Sequence, residues 1–394
     1  MRFVHLADVH LGASPDSDKE WAAGRAEEIW QSFYRVLDWC GMEQIDLLLI
    51  AGDLFHRQPL VRELKELNYR FSRLSGTKVV LIAGNHDSIG PNSAYAGFPW
   101  SDNVVMLDNS EMDSVYLEDL NTEVYGFSYH TRDIYEARCD SVRPGVEERI
   151  NILLAHGGDE RDVPMDRKRM VQAGFDYIAL GHIHKPEMMG ERMAYCGSLE
   201  PLDKTEGGEH GFVLGEIEKE DAPESGEASG QNDPTSRITL TFVPFCSRQY
   251  IDLSISSDAA DTNASMLDKT LERMKEKGEE NMFRLVLTGV RDREMEYRTE
   301  EFMRLGRVVQ VTDETRPDYD FDELARENAD NIIGMYIERI RSLAGGNQPL
   351  ADKALYYGID ALMQKGRLRG SSDACSSSGS CGSSDSVRRN EVAD

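Results

Sequence analysis

Residues 78–87, KVVLIAGNHD, hold the pattern that decides the fold. An apolar run of strand length ends in a glycine and three polar residues. Such a run, bounded by turn residues, is typical of a strand that is buried on both faces. In open α/β sheets, ligands gather at the carboxyl ends of the strands. The stretch therefore predicts a buried strand followed by a functional loop.

The same arrangement recurs along the first half of the chain. Helical patterns over Ala22–Cys40 and Leu60–Leu74 separate several of the apolar runs. This alternation of strands and helices predicts an α/β fold with a largely buried sheet. Besides the run at residues 78–83, strands are predicted over Phe3–Ala7, Asp46–Ala51, Val124–Phe127, Ile150–Ala155 and Tyr177–Leu180.

The second half predicts smaller units. Two strands, Gly211–Glu216 and Arg237–Pro244, flank an acidic loop at 219–236 and complete a first domain over 1–247. An α+β cap is expected over 248–316, a helical partner-binding segment over 317–367 and a disordered tail rich in Ser and Gly over 368–394. The cap pattern gives strands Tyr250–Ile255, Asn281–Gly289 and Arg307–Val311 with helices Ala264–Lys277 and Arg293–Leu305. The helical segment gives helices Asp320–Leu343 and Pro349–Lys365, joined at Gly345-Gly346.

Composition limits the possible functions. The net charge of −27 argues against a protein that binds nucleic acid without a partner, because phosphate contacts need Lys and Arg. Seven acidic residues lie within 216–233, and the rest of the imbalance suggests help from a partner or a high-salt habitat. Six scattered cysteines without a Cys-x-x-Cys pair indicate a reducing cytoplasm. The sequence has no apolar run long enough for a membrane span, and its N-terminus predicts a strand and not a signal peptide.

Metal-binding residue types concentrate at the predicted strand ends. The oxygen and nitrogen donors include no thiolate, which suits Mn²⁺, Fe²⁺ or Zn²⁺ and not a structural Cys-rich zinc site. An isolated Asp-x-His or Gly-Asp is commonly a simple turn, so the series as a whole carries the interpretation. Six of the nine histidines lie in or beside these strand ends. The candidate ligands are Asp8, His10, Asp53, Asn85, His156, His182 and His184.

The ordered series D-x-H, G-D, G-N-H-D, H and G-H-x-H is similar to that of calcineurin-like metallophosphoesterases. GDLFH (52–56), GNHD (84–87), HGG (156–158), GHIH (181–184) and YCGSLEPLD (195–203) resemble the SbcD branch of DNA-repair nucleases, including its YhaO-type bacterial members. Protein phosphatases of the superfamily instead show Gly-Asp-x-x-Asp-Arg-Gly and Asn-His-Glu. The resemblance covers the chain to about residue 218 and rests beyond it on domain order.

The resemblance implies a four-layer sandwich of two mixed sheets flanked by helices, with a site for two divalent ions. Mn²⁺ is expected first, with Fe²⁺, Zn²⁺ or Mg²⁺ as alternatives. One ion would be held by Asp8, His10, Asp53 and His184, and the other by Asp53, Asn85, His156 and His182, so that Asp53 bridges them.

The resemblance also implies roles for three residues outside the ligand set. His86 would face the substrate and stabilise or protonate the reacting phosphate, with Asp87 orienting it. His56 would seat the substrate strand. The plainer alternatives are that Asp87 is a turn residue and that His56 is only an exposed histidine.

The function implied is a metal-dependent DNA exo- or endonuclease of DNA repair, in the cytoplasm at the nucleoid. Its expected partners are DNA, an SbcC-like SMC ATPase and a second copy of the chain. The ATPase would dock on the C-terminal helices, through Ile332, Ile333, Tyr336, Ile337 and Ile340 and through Leu355, Ile359 and Leu362. The homodimer would use Leu64, Leu67, Phe71 and Leu74, although each of these faces can equally pack within its own domain. The competing functions are a phosphodiesterase for small substrates and a non-catalytic scaffold.

Overall fold

The structure is a computed structural model that describes residues 1–219, 236–343 and 347–370. Two six-stranded sheets form its centre. Their strands are β1 (Arg2–Leu6), β2 (Leu47–Ala51), β3 (Lys78–Ile82), β4 (Val104–Met106), β5 (Asp113–Leu117), β6 (Thr122–Gly126), β7 (Ile150–His156), β8 (Tyr177–Gly181), β9 (Glu187–Met189), β10 (Met193–Tyr195), β11 (Gly211–Lys219) and β12 (Ser236–Pro244). Short 3₁₀ helices lie at Glu20–Ala22 and Glu118–Leu120.

Both sheets are mixed. The first has the order β12-β11-β1-β2-β3-β4, in which β1 to β4 run parallel and β11 pairs antiparallel with both of its neighbours, β1 and β12. The second has the order β5-β6-β7-β8-β10-β9, with β6, β7, β8 and β10 parallel and the edge strands β5 and β9 antiparallel. The carboxyl ends of the parallel strands are thus the positions where chain-distant loops can meet.

The strand β2, LLLIA, shows how the layers pack. All five residues are buried, and alternate side chains point to opposite faces of the strand. Leu48 and Ile50 join the cluster under helices α1 (Arg25–Met42) and α2 (Val61–Ser72). Leu47 and Leu49 join the cluster between the two sheets, together with Ile152 and Leu154 of β7. A third cluster covers the outer face of the second sheet beside α3 (Arg167–Val171). The predicted sandwich of two mixed sheets with flanking helices is therefore confirmed.

Helix α2 packs on its own sheet. The four apolar residues that the sequence offered as a dimer face, Leu64, Leu67, Phe71 and Leu74, all lie in the cluster under α1 and α2. That face is packed inside the domain, as expected for the alternative in which α2 covers its own sheet. Val61 and Tyr69 are the large apolar side chains that α2 leaves exposed.

A third sheet follows, formed by the parallel strands β13 (Tyr250–Ser257), β14 (Met282–Arg291) and β15 (Val308–Asp313). Helix α4 (Asn263–Lys277) was predicted within one residue at its start. The helix predicted near Arg293–Leu305 is present but much shorter, because only α5 (Thr299–Phe302) is helical there. Tyr297, just before α5, is buried in the core of this sheet, and its hydroxyl lies 2.5 Å from Ser257 Oγ. This tertiary contact overrides the helical pattern of the sequence.

By contacts the chain divides into two compact units, residues 1–290 with 295–315 and residues 291–294 with those from 316 onward. The third sheet thus groups with the sandwich, and the domain limits at residues 247 and 316 stay predictions. The second unit contains the two-residue strand β16 (Arg316–Pro317) and three helices, α6 (Phe321–Glu327), α7 (Ile332–Leu343) and α8 (Gln348–Gly370).

The single helix predicted over Asp320–Leu343 is broken into α6 and α7. Asn331 causes the break, because its side-chain oxygen accepts the backbone N–H of Ile333 at 2.8 Å and so caps α7. Asn328 ends α6 in a non-helical conformation. Helix α8 extends to Gly370, beyond the predicted start of the tail. The predicted Gly345-Gly346 junction, residues 220–235 of the acidic loop and the tail from 371 lie outside the described residues.

Side chains predicted as a docking face form the core of the second unit instead. Ile337, Leu355 and Ile359 are buried there, with Ile333, Tyr336 and Ile340 packed against them. Among the side chains that the structure describes, the exposed large apolar ones of α7 and α8 are Ile332, Met335, Leu343, Leu350, Tyr357 and Met363. Within the described residues, no helix combines the length and apolar character that a membrane span requires.

Candidate metal centre

The predicted ligands converge at one place between the two sheets. Asp8 and His10 follow β1, Asp53 follows β2 and Asn85 follows β3, all in the first sheet. His156 ends β7, and His182 and His184 follow β8, in the second sheet. The strands of each set run parallel, so their carboxyl ends lie at one edge of each sheet. Neither sheet alone holds the complete set.

Hydrogen bonds across the sheets hold the two halves together. The backbone N–H of His182 donates to both carboxylate oxygens of Asp8, at 3.1 and 2.9 Å. His156 Nδ1 lies 2.8 Å from the carbonyl oxygen of Ala51, which leaves Nε2 of that ring facing the site. Residues at the strand ends of one sheet thus form hydrogen bonds with buried polar groups of the other sheet.

Four side chains form the first cluster of donors. His10 Nε2 lies 3.1 Å from His184 Nε2, 4.0 Å from Asp8 Oδ1 and 3.6 Å from Asp53 Oδ2. His184 Nε2 lies 3.9 Å from the same Asp8 oxygen. Asp8, His10 and Asp53 are almost completely buried. Two imidazole nitrogens and two carboxylates at these separations form a donor set that suits a divalent cation.

Asp53 also belongs to a second cluster. Its Oδ2 lies 3.4 Å from His156 Nε2, which in turn lies 3.0 Å from Asn85 Oδ1. The same carboxylate oxygen therefore lies close to both clusters. This is the position that a ligand shared by two ions would need.

The buried carboxylates dominate the electrostatics of the centre. Burial lowers the pKa of His156, but the neighbouring Asp53 carboxylate outweighs it and raises that pKa to about 10. Burial likewise opposes the charge on His184, yet Glu206 and Asp8 raise the pKa of His184 to about 9. The excess of anionic oxygen thus draws positive charge to these ring nitrogens, and a divalent ion would satisfy the same demand. The residues present fit a two-metal centre.

One ring nitrogen of His182 points away from both clusters and contacts two other carboxylates. Its Nε2 lies 3.0 Å from Asp159 Oδ2 and 3.8 Å from Asp162 Oδ2. The ring itself lies beside that of His156, with centroids 5.3 Å apart. A metal bond from His182 would therefore have to be formed by Nδ1.

His56 and His86 lie at the exposed mouth of the centre. Their rings stack with centroids 5.1 Å apart, and both pack edge-on against the buried ring of His10. His86 Nδ1 lies 3.2 Å from the carbonyl oxygen of His56, and the backbone N–H of His86 donates to Asp53 Oδ1 at 2.9 Å. Two imidazoles thus face solvent directly above the buried donors.

Asp87 holds the loop and not the ring of His86. Its carboxylate accepts the backbone N–H groups of Gly84 and Phe55 and the hydroxyl of Tyr95, at 2.8, 3.1 and 2.9 Å. Among the described residues, these are its hydrogen-bonding partners. Burial and the nearby Asp53 carboxylate raise the pKa of Asp87 to about 7. Asp87, predicted to orient the ring of His86, therefore contacts the backbone of this loop and not that ring. It fixes the backbone that carries Asn85 and His86.

The backbone at the centre adopts conformations that side chains usually avoid. Asp8, His10 and Asp53 have φ near +50°, and His182 has φ of +93°. Non-glycine residues in this region are uncommon and cluster at functional sites. Sequence patterns do not reveal this strain.

Two glycines are required by close packing and not by a tight turn. A Cβ on Gly181 would collide with the carbonyl oxygen of Ala51 and lie 2.7 Å from Ala7 Cβ. A Cβ on Gly84 would collide with the carboxylate of Asp53. Neither glycine has a positive φ, unlike Gly52 at +87°. Because they lack a Cβ, Gly181 can lie against the Ala51 carbonyl and Gly84 against the Asp53 carboxylate.

Several residues at the centre were not found from the sequence. Glu206 Oε1 lies 2.7 Å from His184 Nδ1, and Asp159 contacts His182 as described above. The hydroxyls of Tyr129 and Tyr195 donate to the carbonyl oxygens of His156 and Gly157, at 3.0 and 2.9 Å. Glu206, Asp159 and Tyr129 come from segments whose local sequence has no distinctive pattern. Tyr195 begins the quoted stretch YCGSLEPLD (195–203), but the sequence does not say which carbonyl oxygen its hydroxyl contacts, so only the tertiary fold reveals these contacts.

The fold and these strand-end ligands define the class. Residues 1–186 match the calcineurin-like phosphoesterase family, and this part of the chain is a calcineurin-like metallophosphoesterase domain. The chain is 30% identical over 236 residues to the uncharacterized metallophosphoesterase YhaO of Bacillus subtilis, covering 54% of this chain and 57% of that protein.

Relatives named as repair proteins are also similar to this chain. It is 28% identical over 251 residues to the DNA double-strand break repair protein Mre11 of Methanopyrus kandleri, covering 56% of this chain and 54% of that protein. It is 31% identical over 223 residues to Mre11 of Methanocaldococcus jannaschii, covering 52% and 58%. The chain thus spans little more than half the length of these curated relatives.

Proposed function

We propose that this protein is a metal-dependent DNA nuclease that hydrolyses phosphodiester bonds at DNA ends. The observation that carries the proposal is the stacked pair His56 and His86 at the open mouth of a largely buried Asp, Asn and His cluster. A phosphodiester approaching from solvent would meet these imidazoles and the buried donors together. Relatives that are named as double-strand break repair proteins support DNA as the substrate.

The position of each ligand indicates which of the two ions it would bind. Asp8, His10, Asp53 and His184 would hold one divalent ion, and Asp53, Asn85, His156 and His182 the other, with His182 using Nδ1. Such ions, Mn²⁺ first among the candidates, supply Lewis-acid catalysis and make water a stronger nucleophile.

His86 would act directly on the substrate. The His56 carbonyl oxygen can only accept, so His86 Nδ1 carries the proton of this contact. When Nε2 is protonated as well, the exposed imidazolium can stabilise charge on the phosphate oxygens or protonate the departing oxygen. His56, stacked beside it, would position the phosphate and the adjoining nucleotide strand. Asp87 contributes by fixing the loop that carries His86.

Degradation of labelled duplex DNA with and without Mn²⁺ tests the proposal. Replacing His86 with Ala should lower the rate about 100-fold or more, since general acid catalysis typically contributes that much. His130→Ala is the matched control, because His130 is an exposed histidine that contacts the carbonyl of Asp108 and none of the centre. An unchanged rate for His86→Ala would refute the catalytic assignment.

Two other functions give different results. A phosphodiesterase for small substrates would hydrolyse bis(p-nitrophenyl) phosphate or cyclic nucleotides and leave DNA intact. A non-catalytic scaffold would cleave neither and would retain little metal after purification. Elemental analysis of the purified protein, run beside both assays, separates the three.

An SbcC-like ATPase is the proposed partner, with exposed apolar side chains of the second unit as its docking residues. These are Ile332, which was among the residues first expected, and Met335, Leu343, Leu350 and Tyr357, which take the place of the buried ones. Because the chain is strongly acidic, a partner that supplies positive charge would increase its affinity for DNA. Capture of an SbcC-like ATPase from the same genome should fall when Ile332 and Met335 are both changed to Glu. Undiminished capture by a chain truncated after Pro317 would exclude docking here.

A homodimer is also proposed, through residues of α2 other than its apolar face, because that face is already packed inside the domain. The exposed Val61 and Tyr69 remain available for a second copy. Light scattering at high concentration should give twice the mass of the chain, and Tyr69→Glu should return the monomer. A monomer for the unaltered protein would contradict the dimer.

A further inference from the structure

Glu206 lies behind His184, on the opposite side of the ring from the donors of the centre. Its Oε1 lies 2.7 Å from His184 Nδ1, while Nε2 of the same ring lies 3.1 Å from His10 Nε2. A neutral ring that donates its Nδ1 proton to a carboxylate carries a lone pair on Nε2. Glu206 therefore selects the tautomer in which His184 can coordinate a cation.

Glu206 is itself held in place. Its second oxygen accepts the backbone N–H of Leu202 at 2.8 Å, so each carboxylate oxygen has one donor. Its backbone N–H donates to the carbonyl oxygen of Asp203 at 2.9 Å, and its own carbonyl oxygen lies 3.2 Å from His210 Nε2. The side chain is 17% exposed. A carboxylate fixed on both sides can fix the ring that it contacts.

The third sheet supports the same loop on either side of Glu206. Gly207 forms an isolated parallel bridge with Tyr250, the first residue of β13. The carbonyl oxygen of Lys204 accepts a hydrogen bond from the Arg284 guanidinium on β14. The position of Glu206 thus depends on contacts that reach beyond the two central sheets.

The other histidines of the centre show what is particular about this contact. His156 is held through Nδ1 by the neutral carbonyl of Ala51, and His182 through Nε2 by the half-exposed carboxylate of Asp159. His184 is the one of these three whose partner is a largely buried carboxylate. An anionic partner makes the coordinating nitrogen more basic and strengthens its bond to a cation.

We propose that Glu206 is a positioning residue of the metal centre, which orients His184 and increases the metal affinity of the site to which His184 belongs. This inference rests on the proposed metal centre and goes beyond it by adding a residue that touches neither metal nor substrate. Loss of such a carboxylate typically weakens metal binding about 10- to 100-fold.

The test is Mn²⁺ affinity, measured by calorimetry and by electron paramagnetic resonance on protein stripped of metal. Glu206→Ala removes both acceptors and should weaken binding at one of the two sites about 10- to 100-fold. Glu206→Gln keeps one acceptor and places an amide N–H₂ against the other donor, so it should give an intermediate loss. Glu209→Gln is the matched control, because Glu209 is exposed in the same loop and should bind Mn²⁺ like the unaltered protein.

A purely structural role would give a different pattern. Glu206→Ala would then lower the melting temperature of the metal-free protein, with its Mn²⁺ affinity unchanged. Should the Ala variant fail to fold, the near-isosteric Gln variant decides, and ¹⁵N shifts of the His184 ring report its tautomer. Mn²⁺ affinity of Glu206→Gln within twofold of the control would overturn the inference. Failure of the unaltered protein to bind Mn²⁺ would instead overturn the proposed function.

Discussion

The backbone N–H of His182 lies 2.9 Å from Oδ2 of Asp8, and this hydrogen bond joins the two sheets at the metal centre. Asp8 is completely buried, so its carboxylate serves two purposes at one position. It presents oxygen to the centre and satisfies a backbone donor from the opposite sheet. Substitutions at Asp8 can separate these two purposes.

Asp8→Asn should abolish metal binding at one site while leaving the fold nearly intact, because the amide oxygen still accepts the His182 N–H. Asp8→Ala should also destabilise the metal-free protein by about 1–3 kcal/mol, since a buried donor then loses its partner. Urea unfolding of both variants without metal gives the comparison. Equal stability of the two would show that the inter-sheet hydrogen bond contributes nothing.

Removal of metal should lower the thermal stability of the protein. A ligand that binds only the folded state stabilises it by about 2.7 kcal/mol at a hundred times its dissociation constant. The melting temperature should therefore fall with EDTA and rise again with added Mn²⁺ in a concentration-dependent way. Melting curves that coincide with and without Mn²⁺ would argue against a centre formed by these residues.

Gly181→Ala should destabilise the protein by about 1–3 kcal/mol, as overpacking commonly does. The added methyl group would meet the Ala51 carbonyl and Ala7 at the closest approach of the sheets. Gly90→Ala is the control, because its Cβ would enter open space and its φ is not positive. Chemical unfolding of both variants measures the difference, and equal stability would contradict the close packing.

Three cysteines should resist alkylation in the folded protein. Cys40, Cys139 and Cys196 are free and buried, and burial raises the pKa of Cys40 and of Cys139 to about 12. The thiolate is the reactive form, so little of it is present at pH 8. Peptide mapping after iodoacetamide should find these three modified only in denaturant. Rapid labelling of any of them without denaturant would contradict the burial.

The sequence predicted the central parallel strands well because both faces of strands such as β2 and β7 are buried, which leaves uninterrupted apolar runs such as residues 47–51. The ligands were predictable for a related reason, since parallel strand ends at one edge of a sheet bring adjacent motifs together. Predictions failed where tertiary contacts decided the local structure. Tyr297 is drawn into a core that shortens a helix, and Asn331 caps a helix that the apolar pattern would have continued through.

Amphipathic faces were the least informative signal. The pattern of α2 and α7 identifies a buried side, but it does not say whether a partner or the chain itself covers that side. Glu206 was beyond prediction for a different reason. Its partner His184 lies 22 positions away in the sequence, and no local motif links a loop carboxylate to a particular ring nitrogen.

The division of the ligands between the two sheets also constrains synthesis of the protein. The first sheet supplies Asp8, His10, Asp53 and Asn85, and the second supplies the three histidines up to His184. A nascent chain that has emerged only through β4 holds an incomplete ligand set. The centre can assemble only after His184 has left the ribosome and the two sheets have met. Metal binding by these ligands would therefore report the meeting of the two sheets and does not require the strands β9 to β12 that follow in the chain.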